Sequence, residues 1–271
     1  MKTKILITGA NGFVGTHLVD ELSKDKNNII FKLPHQVLHQ GDQLKKLIKE
    51  ANPDVIYNLA AFGNMANQQE NTGEIINANL IGTWNLLAAT KDIPYRAFIN
   101  ISTSSVLLPH QTIYSATKHG AEDLCKAFVD EYHKPIVTVR PFSLYGIGEA
   151  DFRFIPTVFD SCMNSTPMNL SPHACHDWTF IDDFIQAIIF FALDIDNKKG
   201  QAINVGTSIA TENFIVVDLI EQITKKRCVI NEIKDFRSFD NINWHAIGED
   251  WLCDTSLAEG LNKIYKCYTK N

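Results

Sequence analysis

The fold of this chain is decided by the stretch Ile5-Leu6-Ile7-Thr8-Gly9-Ala10-Asn11-Gly12-Phe13-Val14-Gly15, in which an aliphatic run meets three glycines at three-residue spacing. The run Lys4–Ile7 is typical of a strand buried in a parallel sheet, and a helix is predicted from about Phe13 to Ser23. Glycine permits the tight turn between them and lets backbone N–H groups approach a pyrophosphate, to which the helix dipole adds its positive end. The spacing is a variant of the dinucleotide fingerprint G-x-G-x-x-G. It predicts a dinucleotide site built from Gly9, Asn11, Gly12, Phe13, Val14 and Gly15.

The adenosine end of this site lacks its usual acidic residue. A carboxylate about 20 positions after the glycines normally binds the ribose hydroxyls. Here the corresponding stretch is Phe31-Lys32-Leu33-Pro34-His35-Gln36, which has no carboxylate. If Lys32 faces a 2′-phosphate, the cofactor is NADP; if Lys32 is a solvated charge at the end of a strand, NAD remains open. We therefore predict NADP, with NAD as the alternative.

Strand-like runs alternate with helical segments along the chain. The strand candidates after the glycine turn are Asn28–Leu33, Val37–Leu38 (weak), Val55–Ala60, Ala97–Ile101 and Ile136–Val139. The helix candidates are Gln43–Ala51, Glu74–Thr90, Ser115–His133, Ile155–Met163, Asp182–Leu193 and Thr211–Thr224. This alternation predicts an α/β fold with a Rossmann-type doubly wound parallel sheet. We expect residues 1–141 to form the dinucleotide-binding domain. Residues 142–271 are expected to form mainly a smaller C-terminal α/β substrate lobe, with elements such as Ala202–Gly206 returning to the sheet.

Composition excludes several classes of protein. The chain has 271 residues, is 45% hydrophobic and carries a net charge of −6, which is ordinary for a globular protein and argues against a nucleic-acid or anionic-membrane surface. No apolar run approaches the ~20 residues of a membrane span, and the first one is too short for a secretory signal. The six cysteines form no CxxC pair and no zinc-ligand spacing, so we expect six reduced thiols, no metal and a cytoplasmic location.

Further motifs follow the glycine turn in a fixed order. They are Pro53–Ala61, Asn79–Leu87, Ile101–Ser105, Tyr114–Lys118, Arg140–Gly146, Asp177–Asp183, Asn204–Gly206 and Thr255–Leu261. Together they resemble the extended short-chain dehydrogenase/reductase family, in its nucleotide-sugar epimerase, dehydratase and ketoreductase branch. The resemblance implies that further cofactor-binding residues are Leu59, Ala60, Ala61, Asn79, Ile101, Pro141, Phe142 and Ser143. It also implies that family members commonly form homodimers through the helices at Glu74–Thr90 and Ser115–His133.

The resemblance implies that Thr103, Tyr114 and Lys118 are catalytic. Tyr114 and Lys118 are four residues apart, so on a helix both project from one face. An unperturbed tyrosine has a pKa of about 10, and a nearby ammonium lowers that pKa because it stabilises the phenolate. Tyr114 can then exchange a proton with a substrate hydroxyl or carbonyl, which Thr103 also orients. The resemblance also implies that Lys118 binds the nicotinamide ribose, in addition to stabilising the Tyr114 phenolate.

Three departures from the family pattern concern the substrate. The 4,6-dehydratases carry Asp-Glu after the catalytic hydroxyl, but this chain has Ser104 and Ser105, so dehydration is disfavoured. Thr103 and Tyr114 are only eleven residues apart, which resembles small 4-ketoreductases of deoxysugar pathways. His176 stands where the family often has an arginine that meets the substrate phosphates, and imidazole is a weaker, pH-dependent donor. The implied substrate-binding residues are Phe62, Ser104, Ser105, Arg153 and His176.

The sequence therefore predicts an NAD(P)-dependent oxidoreductase that acts on a nucleotide-linked sugar as its small-molecule partner. A 4-ketoreductase is the leading expectation. The alternative is a nucleotide-sugar 4-epimerase that keeps NAD tightly bound. A reductase of a non-nucleotide carbonyl and a non-catalytic cofactor-sensing module are further alternatives.

Overall fold

The chain folds into two compact units. The computed structural model describes residues 2–63, 71–109, 111–233, 245–246, 251 and 253–269. The first unit comprises Met1–Arg140 and Ile185–Ile203, and the second comprises Pro141–Phe184 and Asn204–Asn271. None of the helices that the described residues form has the length and apolar character needed to cross a membrane. These residues also contain no group of three or more His, Cys, Asp or Glu side chains able to hold a metal ion.

Short strands and helices alternate along both units. The strands are β1 (Thr3–Thr8), β2 (Asn28–Leu33), β3 (Val55–Asn58), β4 (Ala97–Ile101), β5 (Ile136–Pro141), β6 (Ser143–Tyr145), β7 (Met168–Leu170), β8 (Cys175–His176), β9 (Trp178–Phe180), β10 (Ala202–Val205), β11 (Thr211–Glu212) and β12 (Ile230–Glu232). The helices are α1 (Phe13–Leu22), α2 (Gly41–Ala51), α3 (Thr72–Ile76), α4 (Gly82–Thr90), α5 (Ile113–Tyr132), α6 (Phe154–Asn164), α7 (Ile181–Leu193), α8 (Ile195–Lys198), α9 (Asn213–Thr224) and α10 (Leu257–Tyr268). Irregular helical turns are the 3₁₀ helices His35–His39 and Ser104–Leu107 and the π-helical turn Asn77–Ile81.

The main sheet has the strand order β10-β5-β4-β3-β1-β2. Every pairing from β5 to β2 is parallel. The direction of winding reverses at β1, because β2 lies on one side of it and β3 on the other. Open α/β sheets bind ligands at such a switch point, beyond the carboxyl ends of the strands, and the glycine turn follows β1 there. The predicted Rossmann-type parallel sheet is confirmed.

The segment after β2 corrects one prediction. Val37–Leu38, expected as a weak strand, lies in the 3₁₀ helix His35–His39. Both side chains are buried and belong to the same core cluster as Leu44 and Ile48 of α2. The apolar pair therefore reflects packing beside α2, and among the described residues β2 forms the edge of the main sheet.

Two helices of the first unit have features that position the site. The predicted helix Glu74–Thr90 is interrupted by the π-helical turn Asn77–Ile81, and π turns are often found at functional sites. The helix predicted from Ser115 starts two residues earlier as α5, because Thr112 and Ser115 form a reciprocal capping box. Its end is marked by His133 in the left-handed conformation, with φ of 54°.

The second unit is built from pairs of very short strands. Strand β6 pairs parallel with β9, β7 pairs parallel with β12, and β8 pairs antiparallel with β11. Tyr145, at the end of β6, is fully buried, and a Cβ on Gly260 of α10 would collide with its hydroxyl. Glycine at position 260 therefore lets α10 approach this ring closely.

A disulfide in the second unit overturns the expectation of six reduced thiols. Cys162 of α6 is joined to Cys228, with the Cα atoms 4.2 Å apart. The two cysteines are separated by 66 residues, so no local spacing pattern announces the pair. The other cysteines are free thiols: Cys125, Cys175, Cys253 and Cys267.

Candidate active site

The glycine turn is shaped by close backbone packing. Gly9 has φ of +65°, and a Cβ there would lie 2.8 Å from the backbone nitrogen of Ala60. A Cβ on Gly15 would collide with the carbonyl oxygen of Gly9. Side chains are thus excluded at both positions, and α1 begins directly against the carboxyl end of β1.

The first turn of α1 is left open for an anion. Gly12 is the N-cap, makes no side-chain cap, and a Cβ there would meet nothing closer than the Gly9 carbonyl oxygen at 3.4 Å. No acidic side chain lies in the first turn. Asn11 is exposed beside it, whereas Phe13 and Val14 are half-buried. Unpaired N–H groups and the positive end of the dipole suit a phosphate, so these residues fit the pyrophosphate of a dinucleotide.

A row of buried polar side chains crosses four neighbouring strands of the main sheet. Thr8 Oγ1 donates to Asn58 Oδ1 at 2.8 Å, Asn58 Nδ2 donates to Asn100 Oδ1 at 3.0 Å, and Asn100 Nδ2 donates to Thr138 Oγ1 at 3.5 Å. The four residues occupy one register level of β1, β3, β4 and β5. We call them the polar row. Sequence reasoning missed it, although a polar residue near the end of each apolar strand is visible in the sequence.

The polar row also holds the segment after β3. Thr8 Oγ1 accepts hydrogen bonds from the backbone nitrogens of Leu59, at 3.1 Å, and Ala60, at 3.0 Å. Leu59 and Ala60 are thereby fixed beside Gly9, and Ala61 follows them as an exposed residue. That these residues line a cofactor stays a prediction.

Asn79 is fully buried in the π-helical turn. Its side chain accepts from the backbone nitrogen of Phe62 at 2.9 Å and donates to the carbonyl oxygen of Phe62 at 3.1 Å. It also donates to Thr117 Oγ1 at 3.2 Å. Asn79 therefore fixes the exposed Phe62, a predicted substrate residue, relative to α5.

The hydroxyl segment ends β4 and forms a small cap. Thr103 Oγ1 accepts from the backbone nitrogen of Ser105 at 3.2 Å and lies 2.9 Å from Ser105 Oγ. Thr103 is the N-cap of the 3₁₀ helix Ser104–Leu107, and both Ser104 and Ser105 are buried. Ser105 thus positions the Thr103 hydroxyl. Residue 110, in the short loop between Thr103 and Tyr114, lies outside the described residues.

One face of α5 carries the predicted acid–base pair. Tyr114 lies near Gly63, where a Cβ would be 3.8 Å from the Tyr114 ring. Lys118 is buried and its ammonium donates to the carbonyl oxygen of Ile101, at the end of β4. Burial lowers the pKa of the Lys118 ammonium to about 8, while the negative charge of Glu122 opposes this shift. The ammonium is therefore held at the carboxyl end of β4, one residue beyond Asn100 of the polar row.

The segment Pro141–Ser143 belongs to the second unit. Phe142 is buried, and its backbone nitrogen donates to the carbonyl oxygen of Val205 at 3.1 Å. Ser143 Oγ lies 3.1 Å from His176 Nδ1, so a predicted cofactor residue and a predicted substrate residue are hydrogen-bonded to each other. The His176 ring also packs on Trp178, with ring centroids 5.0 Å apart.

Arg153 is the N-cap of α6 and carries an intramolecular partner. Its Nε donates to Glu149 Oε1 at 3.2 Å, while 43% of its side chain is exposed. Burial raises the pKa of the Glu149 carboxyl to about 7, and the Arg153 guanidinium partly opposes that shift. Sequence reasoning missed Glu149, because nothing in the loop marks a carboxyl for burial.

Lys32, which was predicted to meet the adenosine end of the cofactor, is exposed near the end of β2, opposite Ile7.

Known proteins similar to this chain are nucleotide-sugar enzymes. The sequence model of the NAD dependent epimerase/dehydratase family matches residues 5–206. A probable UDP-glucuronate 4-epimerase of Rhizobium meliloti is 28% identical over 229 residues, covering 69% of this chain and 67% of that protein. An uncharacterized UDP-glucose epimerase of Bacillus subtilis is 27% identical and covers 95% of both chains. A solved UDP-glucuronic acid 4-epimerase of Bacillus cereus, in complex with UDP-glucuronic acid and NAD, is 26% identical, with a TM-score of 0.86 and coverage of 100% of this chain and 99% of its own.

Proposed function

Because this chain belongs to the NAD dependent epimerase/dehydratase family, we propose that it is a nucleotide-sugar 4-epimerase that uses bound NAD. The family resemblance drawn from the motifs is confirmed, and the chain is an enzyme of the short-chain dehydrogenase/reductase type. The observation that carries the finer proposal is the likeness, over 100% of this chain, to the 4-epimerase of Bacillus cereus. That solved protein contains UDP-glucuronic acid and NAD, which makes this nucleotide sugar the first substrate to test.

The first unit has the residues to hold the dinucleotide. The open N-terminus of α1 at Gly12 would take the pyrophosphate, and Leu59–Ala61 would line the ring systems. Bound NAD would supply the group that takes up and returns a hydride. Lys32 is exposed, so it has the freedom either to reach a 2′-phosphate or to remain in solvent. We propose NAD rather than NADP, since the solved relative holds NAD.

Tyr114 would move the proton of the sugar 4-hydroxyl. The phenolate accepts that proton as the 4-carbon is oxidised and returns it when the 4-keto group is reduced from the opposite face. Lys118 keeps positive charge beside the phenolate, which stabilises it. Thr103 hydrogen-bonds the same sugar oxygen and orients it. Ser104 and Ser105 supply no carboxylate for the elimination of water, so a 4,6-dehydratase is not the function we propose.

The leading expectation from the sequence, a 4-ketoreductase, rests on the predicted preference for NADP and on the short loop between Thr103 and Tyr114. The relatives described above favour the 4-epimerase instead. The two reactions use the same three side chains and differ in whether the reduced cofactor is consumed. An assay of cofactor consumption therefore separates them.

The test is turnover without added cofactor. The purified chain is incubated with UDP-glucuronate alone, and the formation of its C4 epimer is followed by proton NMR, while the dinucleotide released on denaturation is identified by mass spectrometry. We expect epimerisation with a NAD content that stays constant. Conversion of a 4-keto sugar that consumes one NADH or NADPH per turnover, with no epimerisation, would overturn the proposal in favour of the ketoreductase.

We also propose that the enzyme is a homodimer formed through α4 and α5. Apolar side chains are exposed along this part of the first unit: Ile81 at 38%, Trp84 at 48% and Tyr132 at 41%. Light scattering of the purified protein is expected to give twice the chain mass, and Trp84→Glu is expected to give the mass of one chain. A wild-type protein with the mass of a single chain would sink the idea.

A further inference from the structure

Helix α5 carries a buried carboxylate one turn beyond Lys118. Tyr114, Lys118 and Glu122 follow one another at four-residue spacing, which places them on one face of the helix. Lys118 is 3% exposed and Glu122 is 6% exposed, so water screens the charges on these two side chains very little. An ammonium and a carboxylate at this spacing attract each other, and low exposure makes that attraction stronger than on a helix surface.

Glu122 is held in place from the neighbouring strand. Arg140, in β5, donates from Nε to both carboxylate oxygens of Glu122, at 2.9 and 3.1 Å, and its Nη2 donates to Oε2 as well. This fork fixes the orientation of the carboxylate. Glu122 therefore cannot swing away from Lys118 without breaking a buried ion pair, which is costly.

The surroundings of Lys118 contain few groups that can support its charge. Burial disfavours the ammonium, and its pKa falls to about 8 as a result. Burial also raises the pKa of the Cys125 thiol to about 12, so this group is neutral at pH 7 and adds no negative charge. From strand β4 the Ile101 carbonyl oxygen accepts a hydrogen bond from the ammonium, and Arg140 on β5 carries a charge of the same sign as Lys118. Tyr114 is the remaining titratable group on the same helix face.

We propose that Glu122 is a positioning residue of the reaction, which keeps Lys118 in its ammonium form beside Tyr114 at neutral pH. The inference rests on the proposed function, because Lys118 and Tyr114 are the groups through which Glu122 acts. Glu122 itself contacts neither substrate nor cofactor in this account. Arg140 has two opposite effects. It orients the Glu122 carboxylate, and its positive charge weakens the attraction between Glu122 and Lys118.

The titration of Lys118 tests this directly. The protein is labelled with ¹³C at the lysine Cε carbons, and the Lys118 signal is identified by its loss in Lys118→Met. We expect Glu122→Gln to lower the midpoint of the Lys118 titration by about one pH unit, since a charge at helix-neighbour distance is worth at least that in a partly desolvated site. The control is Asp123→Asn, which removes the adjacent but exposed carboxylate of α5 and should leave the midpoint at the wild-type value.

A second variant guards against misfolding of the first. Glu122→Gln leaves Arg140 buried without its partner, which destabilises a fold, whereas replacement of both members by apolar residues is often tolerated. In Glu122→Leu/Arg140→Met we expect a lower midpoint than in the wild type, because Glu122 is a charge that raises the pKa of Lys118 and the variant removes it. A midpoint at the wild-type value in the folded double variant overturns the inference.

The same variants separate this inference from the proposed function. The alkaline limb of the kcat/KM profile should move to lower pH in Glu122→Gln by the same amount as the NMR midpoint. The NMR titration needs no substrate, so a shifted midpoint in a protein without epimerase activity supports the inference and refutes only the reaction. Epimerase activity with an unmoved alkaline limb and an unmoved midpoint refutes the inference and leaves the reaction standing.

Discussion

The two units bury polar groups in different ways. In the first unit the polar row consists of neutral hydroxyls and amides at one level of the parallel sheet, with the Lys118 ammonium next to it. In the second unit a buried carboxylate is the centre of a hydrogen-bond network. Asp177 is fully buried and accepts hydrogen bonds from Thr207 and from the backbone nitrogens of Ser208 and Ala246.

This difference follows from how each unit is built. The register of the parallel strands already places the polar side chains of the first unit side by side. Hydrogen bonds between neutral groups are therefore enough to order these side chains. The second unit has strands of two or three residues, and carboxylates hold its long connections in place. Asp177 accepts four hydrogen bonds, and Asp183 accepts two from Thr255. We therefore expect substitutions of the site residues in the first unit to change rate, and substitutions of the buried carboxyls in the second to change stability.

The largest expected effect is on rate, from Tyr114→Phe. The change removes the phenolic hydroxyl from a half-buried ring and leaves the packing of α5 intact, so kcat is expected to fall by about 10²–10⁴-fold. The unfolding free energy should change by less than about 1 kcal/mol, measured by urea denaturation. Tyr132→Phe on the same helix is the matched control and should keep full activity. Equal activities of the two variants would show that Tyr114 does not transfer the proton. They would also contradict the expectation that substitutions of site residues in the first unit change rate.

The next effect is on stability, from Asp177→Asn. An amide has one acceptor oxygen, so its NH₂ group would face backbone N–H donors that now bond Asp177, and we expect a loss of about 2–4 kcal/mol of unfolding free energy. NAD affinity, a property of the first unit in our proposal, should be unchanged in the folded variant when measured by calorimetry. The control is Asp218→Asn, an exposed carboxylate of α9, with an expected change within about 0.5 kcal/mol. A similar small change in Asp177→Asn would mean that its four bonds are dispensable.

Sequence patterns predict the first unit better than the second, because the first unit is a regular parallel sheet and the second is built from very short strands. The glycine turn and the Tyr114–Lys118 spacing are local signals, and the parallel alternation fixes which strand ends meet. The inward turn of Asn79 depends on a π-helical turn that no propensity signals, so its hold on Phe62 could not be foreseen. In the second unit the Cys162–Cys228 bond joins positions 66 residues apart.

The loop before α6 shows most clearly what a local pattern cannot predict. It buries the Glu149 side chain, which is 4% exposed, yet leaves Phe152 68% exposed, the opposite of what hydropathy favours. Only the tertiary packing of the second unit decides which of the two side chains turns inward.

The smallest effect concerns Glu149, the exception among the buried carboxyls. Its Oε1 accepts from Arg153, but its buried Oε2 has no hydrogen-bond partner among the described residues. Burial raises its pKa from 4.5 to about 7, so the fold favours the protonated form. The contribution of Glu149 to stability is therefore complete below pH 4.5 and is lost as pH rises toward 7, because the unfolded chain ionises first. The size of this loss is on the order of 3 kcal/mol.

Glu149→Gln keeps the shape and the acceptor for Arg153 but cannot ionise. Its unfolding free energy minus that of the wild type should therefore grow as pH rises from 5 to 8, when both are measured by urea denaturation. Asp151→Asn, an exposed carboxylate two residues on, should give a difference that does not change with pH. Parallel pH curves for Glu149→Gln and the wild type would contradict a raised pKa for the Glu149 carboxyl. A diverging pair would show instead that burial alone does not make a carboxyl structural: Asp177 stabilises loops because all its lone pairs are used, whereas Glu149 weakens the fold at neutral pH and keeps Arg153 tethered at the start of α6.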